Sequence, residues 1–342
     1  MIDLKSLSEA SVFDLFREMG LPSFRARQLL HWLYERNITD IEKITEFSRE
    51  LRDKLKSIAY ISTPALLSSE LSSDGTTKFL FQLDDGERIE SVLIPDRDRL
   101  TLCVSSQVGC AMGCGFCLTG GIGFKRNLRS REITDQVLSV NRMIEPRTIT
   151  NIVFMGMGEP LLNLEEVGAA IRIMTKYIRI SRRHITVSTC GIAPKIRELG
   201  QMKPLVNLAV SLNAGDDATR SGIMPVNRKY PLKKLTAALK EFPRSPRQRI
   251  TFEYVLLRGI NDSDEQARKT VQLLSGIPSK VNLIPYNPAE GSGFRKPGMD
   301  RVLAFQEILS KAGITAIIRK SKGSDIAAAC GQLSARYSRQ ST

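Results

Sequence analysis

The chain has 342 residues, 42% of them hydrophobic, enough for one large globular domain and a smaller companion. Its 50 Lys and Arg against 36 Asp and Glu give a net charge of +14, which argues for a polyanionic partner, most simply nucleic acid. No apolar run approaches the ~20 residues of a membrane span, the start MIDLKSLSEA has no secretory pattern, and six cysteines in so long a chain do not make a disulfide framework, so a cytoplasmic protein with reduced thiols is expected.

Residues 1–60 read as a helical accessory domain. Val12, Leu15 and Phe16 recur at helical spacing, Gly20-Leu21-Pro22 breaks the chain, and Ser23 is placed to cap a second helix bearing Ala26, Leu29, Leu30 and Leu33. A third helix is expected over 41–58, on Ile44, Phe47, Leu51 and Leu55. Arg25, Arg27 and Arg36 fall off the apolar faces, so a packing cap and an RNA-contacting unit are equally good readings. Over 61–99 the pattern turns to a β extension or linker, with hairpin signals at Asp74-Gly75 and Asp84-Asp85-Gly86. In RIESVLI (88–94), Glu90 shares a face with Val92 and Ile94. Such a carboxylate is either desolvated, with the raised pKa a general base needs, or an edge-strand residue facing water; spacing alone favours the second.

From Leu100 strands and helices alternate. Apolar strands fall at 101–105, 151–155, 184–188, 206–211, 250–256, 281–284 and 314–319, and helices at 130–144, 165–178, 232–242, 264–274 and 301–311. That order implies an α/β fold with a parallel sheet, a partial TIM-like (β/α) barrel spanning 100–333, with its chemistry on loops at the carboxyl ends of the strands. A polar tail, 334–342, is expected to fray. Basic clusters stand at Lys125, Arg126, Arg129 and Arg131; at Arg182 and Arg183; at Arg244, Arg247 and Arg249; and at Arg319, Lys320 and Lys322. Arginine forks onto phosphate in a way lysine cannot, whereas aromatics, at 6%, are too few for a base-stacking platform.

The stretch CAMGCGFC follows the first of these strands and sets Cys110, Cys114 and Cys117 at C-x3-C-x2-C spacing. A [4Fe–4S] cluster normally takes four thiolates, so three in one loop leave an iron open to an exogenous ligand. A zinc knuckle would want a fourth Cys or His close by, and His31 and His184 are far off in sequence. The spacing is similar to the signature of radical S-adenosylmethionine (SAM) enzymes. Farther on, the strand NIVFM runs into Gly156-Met-Gly158-Glu159-Pro160, a turn that brings bare backbone close to a ligand. Ser188, Ser211-Leu212-Asn213 and Asn287 lie at expected strand ends, where polar groups suit a nucleoside, although each alone is more often a loop cap. Composition reads Cys330 and Cys103 as small buried residues.

Taken together, the chain resembles the RlmN/Cfr family of radical SAM RNA methyltransferases, and most of all its dual-specificity adenosine C2 (RlmN) group. The resemblance is carried by Cys103-VSSQVG-Cys110, the cluster loop, GFKRNLRSREITDQV, FMGMGEPLLNL, VNLIPYNP and DIAAACGQL. It implies a radical SAM core, a [4Fe–4S] cluster on Cys110, Cys114 and Cys117, and a SAM site at Gly158, Glu159, Ser188, Ser211, Leu212, Asn213 and Asn287. Asn213 stands where the family more often has His. The resemblance further implies that Cys330 is the cysteine methylated during turnover, Cys103 the thiol that resolves the protein–RNA intermediate, and Glu90 the base acting at adenine. Cys190 has no such role and reads as structural. Implied partners are 23S ribosomal RNA at the peptidyl transferase centre, tRNA beside the anticodon, and an electron-donating reductant; a monomer is expected. The rivals are C8 methylation of the same rRNA adenosine, a radical SAM activase or peptide modifier, and a non-catalytic RNA-binding protein with a structural cluster.

Overall fold

The computed structural model describes residues 1–246, 248–288 and 292–335; Arg247 and the tail 336–342 lie outside the described residues. At the N-terminus a short strand β1 (Ile2–Asp3) precedes helices α1 (Glu9–Glu18), α2 (Ser23–Tyr34) and α3 (Arg49–Ile58), and β2 (Ala59–Tyr60) pairs parallel with β1. Ser8 caps α1 by accepting from the Ser11 N–H, and Ser48 caps α3 in the same way through Leu51. Two expectations change here. Ser23 is the first helical residue behind Pro22 and makes no capping bond. The expected 41–58 helix is a 3₁₀ turn, Ile41–Lys43, followed by the separate α3, because Asp40 and Ser48 each start an element. Leu4, Phe16, Leu29, Leu33 and Leu55 close a small core that also takes in Leu138 from the large domain.

Strands β3 (Ala65–Leu71), β4 (Thr77–Gln82) and β5 (Arg88–Asp96) form an antiparallel meander, and β5 pairs antiparallel with β6 (Arg99–Cys103). After the small hairpin of β7 (Gln107–Gly109) and β8 (Phe124–Asn127) comes the parallel series β9 (Asn151–Phe154), β10 (Ile185–Thr189), β11 (Asn207–Ser211), β12 (Ile250–Leu256), β13 (Ser279–Pro285) and β14 (Thr315–Ile318). One ten-stranded sheet runs β14-β13-β12-β11-β10-β9-β6-β5-β4-β3. β6 and β9 to β14 are its parallel portion, the partial (β/α) barrel. The connecting helices are α4 (Leu118–Ile122), α5 (Ser130–Met143), α6 (Leu164–Lys176), α7 (Ala193–Gln201), α8 (Asp217–Ile223), α9 (Val226–Lys229), α10 (Leu232–Glu241), α11 (Asp264–Leu274) and α12 (Met299–Lys311). Period-two alternation sets the layers: on β12, Ile250, Phe252, Tyr254 and Leu256 are buried in the main core, leaving Thr251, Glu253 and Val255 for the opposite face. No helix among the described residues is long and apolar enough to cross a membrane.

Candidate active site

The three cysteines of CAMGCGFC line one cavity at the carboxyl ends of the parallel strands, together with Gly158, Glu159, Ser188, Ser211, Asn287 and Cys330. Local bonds shape their loop: the Cys110 N–H donates to the Gly123 carbonyl at 2.9 Å and the Cys117 N–H to the Cys114 carbonyl at 3.1 Å. All three thiols are free and half-buried. Burial pushes Cys110 up to about 11 and Cys114 higher still, so metal binding would have to drive off these two protons. Among the described residues no three His, Cys, Asp or Glu converge on a point that would hold a single ion. Three thiols lining one cavity are a donor set that fits a [4Fe–4S] cluster held by one thiolate per iron.

Opposite them is the Gly-x-Gly-Glu turn after β9. A Cβ on Gly156 would lie 2.7 Å from the Val104 carbonyl carbon, and one on Gly158 (φ +99°) 2.5 Å from Gln107 Cβ, so both glycines are needed for the turn to lie against the β6–β7 connection. Glu159 is buried: Oε1 accepts from Leu161 N–H at 3.0 Å and Oε2 from Cys190 N–H at 2.7 Å, and desolvation raises its pKa. Ser188, next to last in β10, and Ser211, the last residue of β11, line the cavity, and Asn287 follows β13 with its Oδ1 taking a hydrogen bond from the Ser321 hydroxyl. Apolar and bare-backbone surfaces with a few fixed polar groups suit a nucleoside carrying an amino acid.

Leu212 and Asn213 do not line this cavity. Leu212 is core. The Asn213 side chain turns into the protein, where Oδ1 accepts from Val255 N–H at 2.7 Å and the amide donates to Met224 Sδ at 3.1 Å. At φ 59° its backbone is left-handed, a conformation asparagine tolerates. It ties β11 to β12, and the expected polar contact from this turn falls to Ser211 alone.

Glu90 is not an edge residue. β5 is paired on both sides, by β4 and β6, and Glu90 is 2% exposed. Desolvation raises its pKa; the opposing influences are hydrogen bonds from Ala335 and Ser334 and the charge of Lys78, whose Nζ is 3.7 Å away. Its Oε2 accepts from the Ser334 and Ala335 N–H groups at 2.8 and 2.9 Å. Cys103 ends β6, buried in the core, and its thiol is raised by burial first and then by the neighbouring Cys330. Cys330 is accessible from the cavity yet hemmed in closely enough that desolvation lifts it to about 11. Cys103 is therefore a neighbour of Cys330, and Glu90 holds the backbone four and five residues beyond Cys330, although 240 residues separate Glu90 from Cys330 in sequence.

The loop carrying Cys330 is sewn down from both ends. Asp325 accepts from the Ser72 hydroxyl at 2.6 Å and the Ser73 N–H at 3.1 Å, in the β3–β4 turn, while Lys78 donates to the Ile326 carbonyl at 2.7 Å. On the other side, Leu118 N–H donates to the Gly331 carbonyl at 2.7 Å and the Thr119 hydroxyl to Leu333 at 2.7 Å. The β3–β4 hairpin thus holds the Cys330 loop against the cluster loop.

Glu253 and Arg220 escaped the sequence reading, and Cys190 reads there as structural only. Glu253 and Cys190 line the cavity, and Arg220 is wholly buried beside it. A carboxylate at an inward position of an otherwise apolar strand was the available signal for Glu253; nothing local marks Arg220. The basic clusters also divide. Arg126 pairs with Asp85 and Glu132, and buried Arg131 with Asp3 and Asp84, so both hold the fold together. Arg319 and Lys320 are exposed.

A parallel half-barrel with a three-thiol loop after its first strand defines a radical SAM enzyme, and the Radical SAM superfamily profile matches residues 104–271. The profile described as the ribosomal RNA large subunit methyltransferase N-terminal domain matches residues 2–61. A radical SAM methyltransferase from Sphaerobacter thermophilus superposes with a TM-score of 0.93 at 42% identity, over 98% of this chain and 100% of that one. The dual-specificity RNA methyltransferase RlmN of Syntrophobacter fumaroxidans is 54% identical over 93% of this chain and 94% of its own. That of Geobacter sulfurreducens is 51% identical over 97% and 92%. The chain belongs to the RlmN family of radical SAM RNA methyltransferases.

Proposed function

We propose that this enzyme methylates C2 of an adenosine in 23S ribosomal RNA and of the adenosine beside the anticodon in tRNA. The observation that carries the reading is one cavity that joins three cluster thiols, a Gly-x-Gly-Glu turn and the accessible Cys330, with Cys103 close to Cys330 and Glu90 bound to the Ser334–Ala335 backbone just beyond it in the chain. A radical SAM activase needs neither of the two added thiols, and a structural cluster needs no SAM turn. The names of the relatives support dual RNA specificity over the C8 alternative.

Cys110, Cys114 and Cys117 would hold a [4Fe–4S] cluster, and Glu159, Ser188, Ser211 and Asn287 would orient SAM; together these groups supply the methyl and the one-electron chemistry that an electron-poor C2 requires. The protein's own residues do the rest. Cys330, once deprotonated, accepts a methyl on sulfur by displacement and presents it toward the cavity. Glu90, its carboxyl already shifted up by burial, takes the C2 proton of the protein-linked adenine. Cys103 then attacks the Cys330 sulfur. The S–S bond forms, the carbon–sulfur bond to the base breaks with its electron pair going to carbon, which takes up a proton to complete the methyl group, and an external dithiol reduces the disulfide. The enzyme works as a cytoplasmic monomer, and the 1–60 module with the exposed basic rim guides RNA to the cavity. Mass mapping of 2-methyladenosine in rRNA and tRNA from cells with and without the gene tests this. Loss of the mark from both RNAs is expected; 8-methyladenosine, or no change in either RNA, overturns it.

A further inference from the structure

Arg220, on α8, is the largest completely buried side chain among the described residues. Its donors are satisfied almost wholly by neutral oxygens: Nε to the Leu212 carbonyl at 2.9 Å, Nη1 to Asn227 Oδ1 at 2.9 Å, and Nη2 to the carbonyls of Cys190 at 2.6 Å and Ser211 at 3.0 Å. Neutral partners satisfy hydrogen bonds but do not balance a charge. Asp217, the nearest acid on α8, spends its Oδ1 on Asn227 and the Leu232 N–H and makes no ion pair with Arg220. Desolvation pulls the guanidinium below its usual range, and the groups that offset this are Cys190, Cys114 and then Asp217. A buried cation without an anion of its own therefore sits on the helix bonded to the cluster loop, where the Gly115 N–H, next to Cys114, donates to the Ile223 carbonyl of α8 at 3.0 Å; a three-thiolate iron–sulfur group held there is anionic and becomes more so on taking an electron.

We propose that Arg220 is the counter-charge of the iron–sulfur cluster: a positioning residue that makes the cluster easier to reduce while its fork fastens the ends of β10 and β11, which carry Cys190 and Ser211 into the cavity. The proposal rests on the radical SAM assignment. It gives α8 a purpose the packing alone does not, since a hydrogen-bonded neutral side chain could brace the same carbonyls without a buried charge.

The test is an electron-paramagnetic-resonance redox titration of the anaerobically reconstituted full-length protein, compared among wild type, Arg220→Gln and Arg220→Lys, with iron and sulfide content measured on each. Arg220→Gln should lower the reduced-to-oxidised ratio at a fixed potential about tenfold, which is about 59 mV for a one-electron couple, and Arg220→Lys should keep most of the wild-type value. An unchanged midpoint in a loaded Gln variant overturns the proposal. If the Gln variant takes up no cluster, the Lys variant decides: a loaded cluster with near-normal potential supports a charge role, whereas failure of both marks a purely structural fork. Wild-type protein that takes up no iron would instead overturn the radical SAM assignment, so the two failures are told apart.

Discussion

Cys103 is where a packing role and a chemical role diverge most sharply. It is 8% exposed, sits in the main core at the end of β6, and faces Val92 and Val153 on the neighbouring strands. Cys103→Ala deletes one sulfur atom from this site, a loss like that of a buried methyl group. The expected destabilisation is about 0.5–1.5 kcal/mol, or roughly 1–5 °C in melting temperature, small enough for the variant to fold, load its cluster and bind SAM. If Cys103 resolves the intermediate, the early steps still run and the protein stays joined to RNA through Cys330. Denaturing electrophoresis should then show a shifted protein–RNA band that nuclease removes, with free methylated RNA below one equivalent per protein. Cys330→Ala should fold and bind SAM but show no band and no methylation. Repeated turnover by Cys103→Ala, or a nuclease-sensitive band in Cys330→Ala, would refute the assignment of these thiols.

Three further outcomes follow from the same structure. Lys5 donates to Asp135 at 2.5 Å with both groups buried between the helical module and α5, so Lys5→Met should cost about 3–5 kcal/mol by leaving a buried carboxylate alone; thermal melts showing a loss under 1 kcal/mol would contradict this. Glu90 has a folded-state pKa above its ordinary 4.5. As pH rises above 4.5 the unfolded chain loses this proton first, so stability falls across the window between the two values and is flat beyond it. Glu90→Gln should flatten that slope in urea titrations and cut turnover about 10²–10⁴-fold, and an unaltered slope would show that Glu90 does not titrate there. RNA affinity should fall steeply with salt, and an Arg319→Ala/Lys320→Ala variant should lower the slope of log K on log salt by about 0.7–0.9 for each phosphate that these side chains neutralise; a wild-type affinity that stays flat across a salt titration would remove the basic rim from RNA binding.

Much of this protein was legible before any tertiary contact was known. The C-x3-C-x2-C loop is a local object, and its spacing alone places three thiols around one group. The glycine turns at Gly75 and Gly86, both at positive φ, are likewise written into a few adjacent residues. Strand–helix alternation was enough to order the parallel sheet and to put Ser188, Ser211 and Asn287 at strand ends. What only the fold decided depends on partners far away in the chain. Glu90 looked like a water-facing edge residue because the β6 pairing of its strand, the Ser105 hydroxyl on its carbonyl and the Ser334–Ala335 cover are invisible in RIESVLI. Asn213 looked like a cofactor contact because period-two spacing does not reveal that a left-handed backbone turns its amide toward Met224 and Val255. Arg126 and Arg131 looked like RNA contacts until Asp3, Asp84, Asp85 and Glu132 folded against them. Arg220 gave no signal at all. A short-range pattern fixes backbone shape, but burial and charge balance are sums over the whole molecule, and those sums determine which polar groups are free to do chemistry.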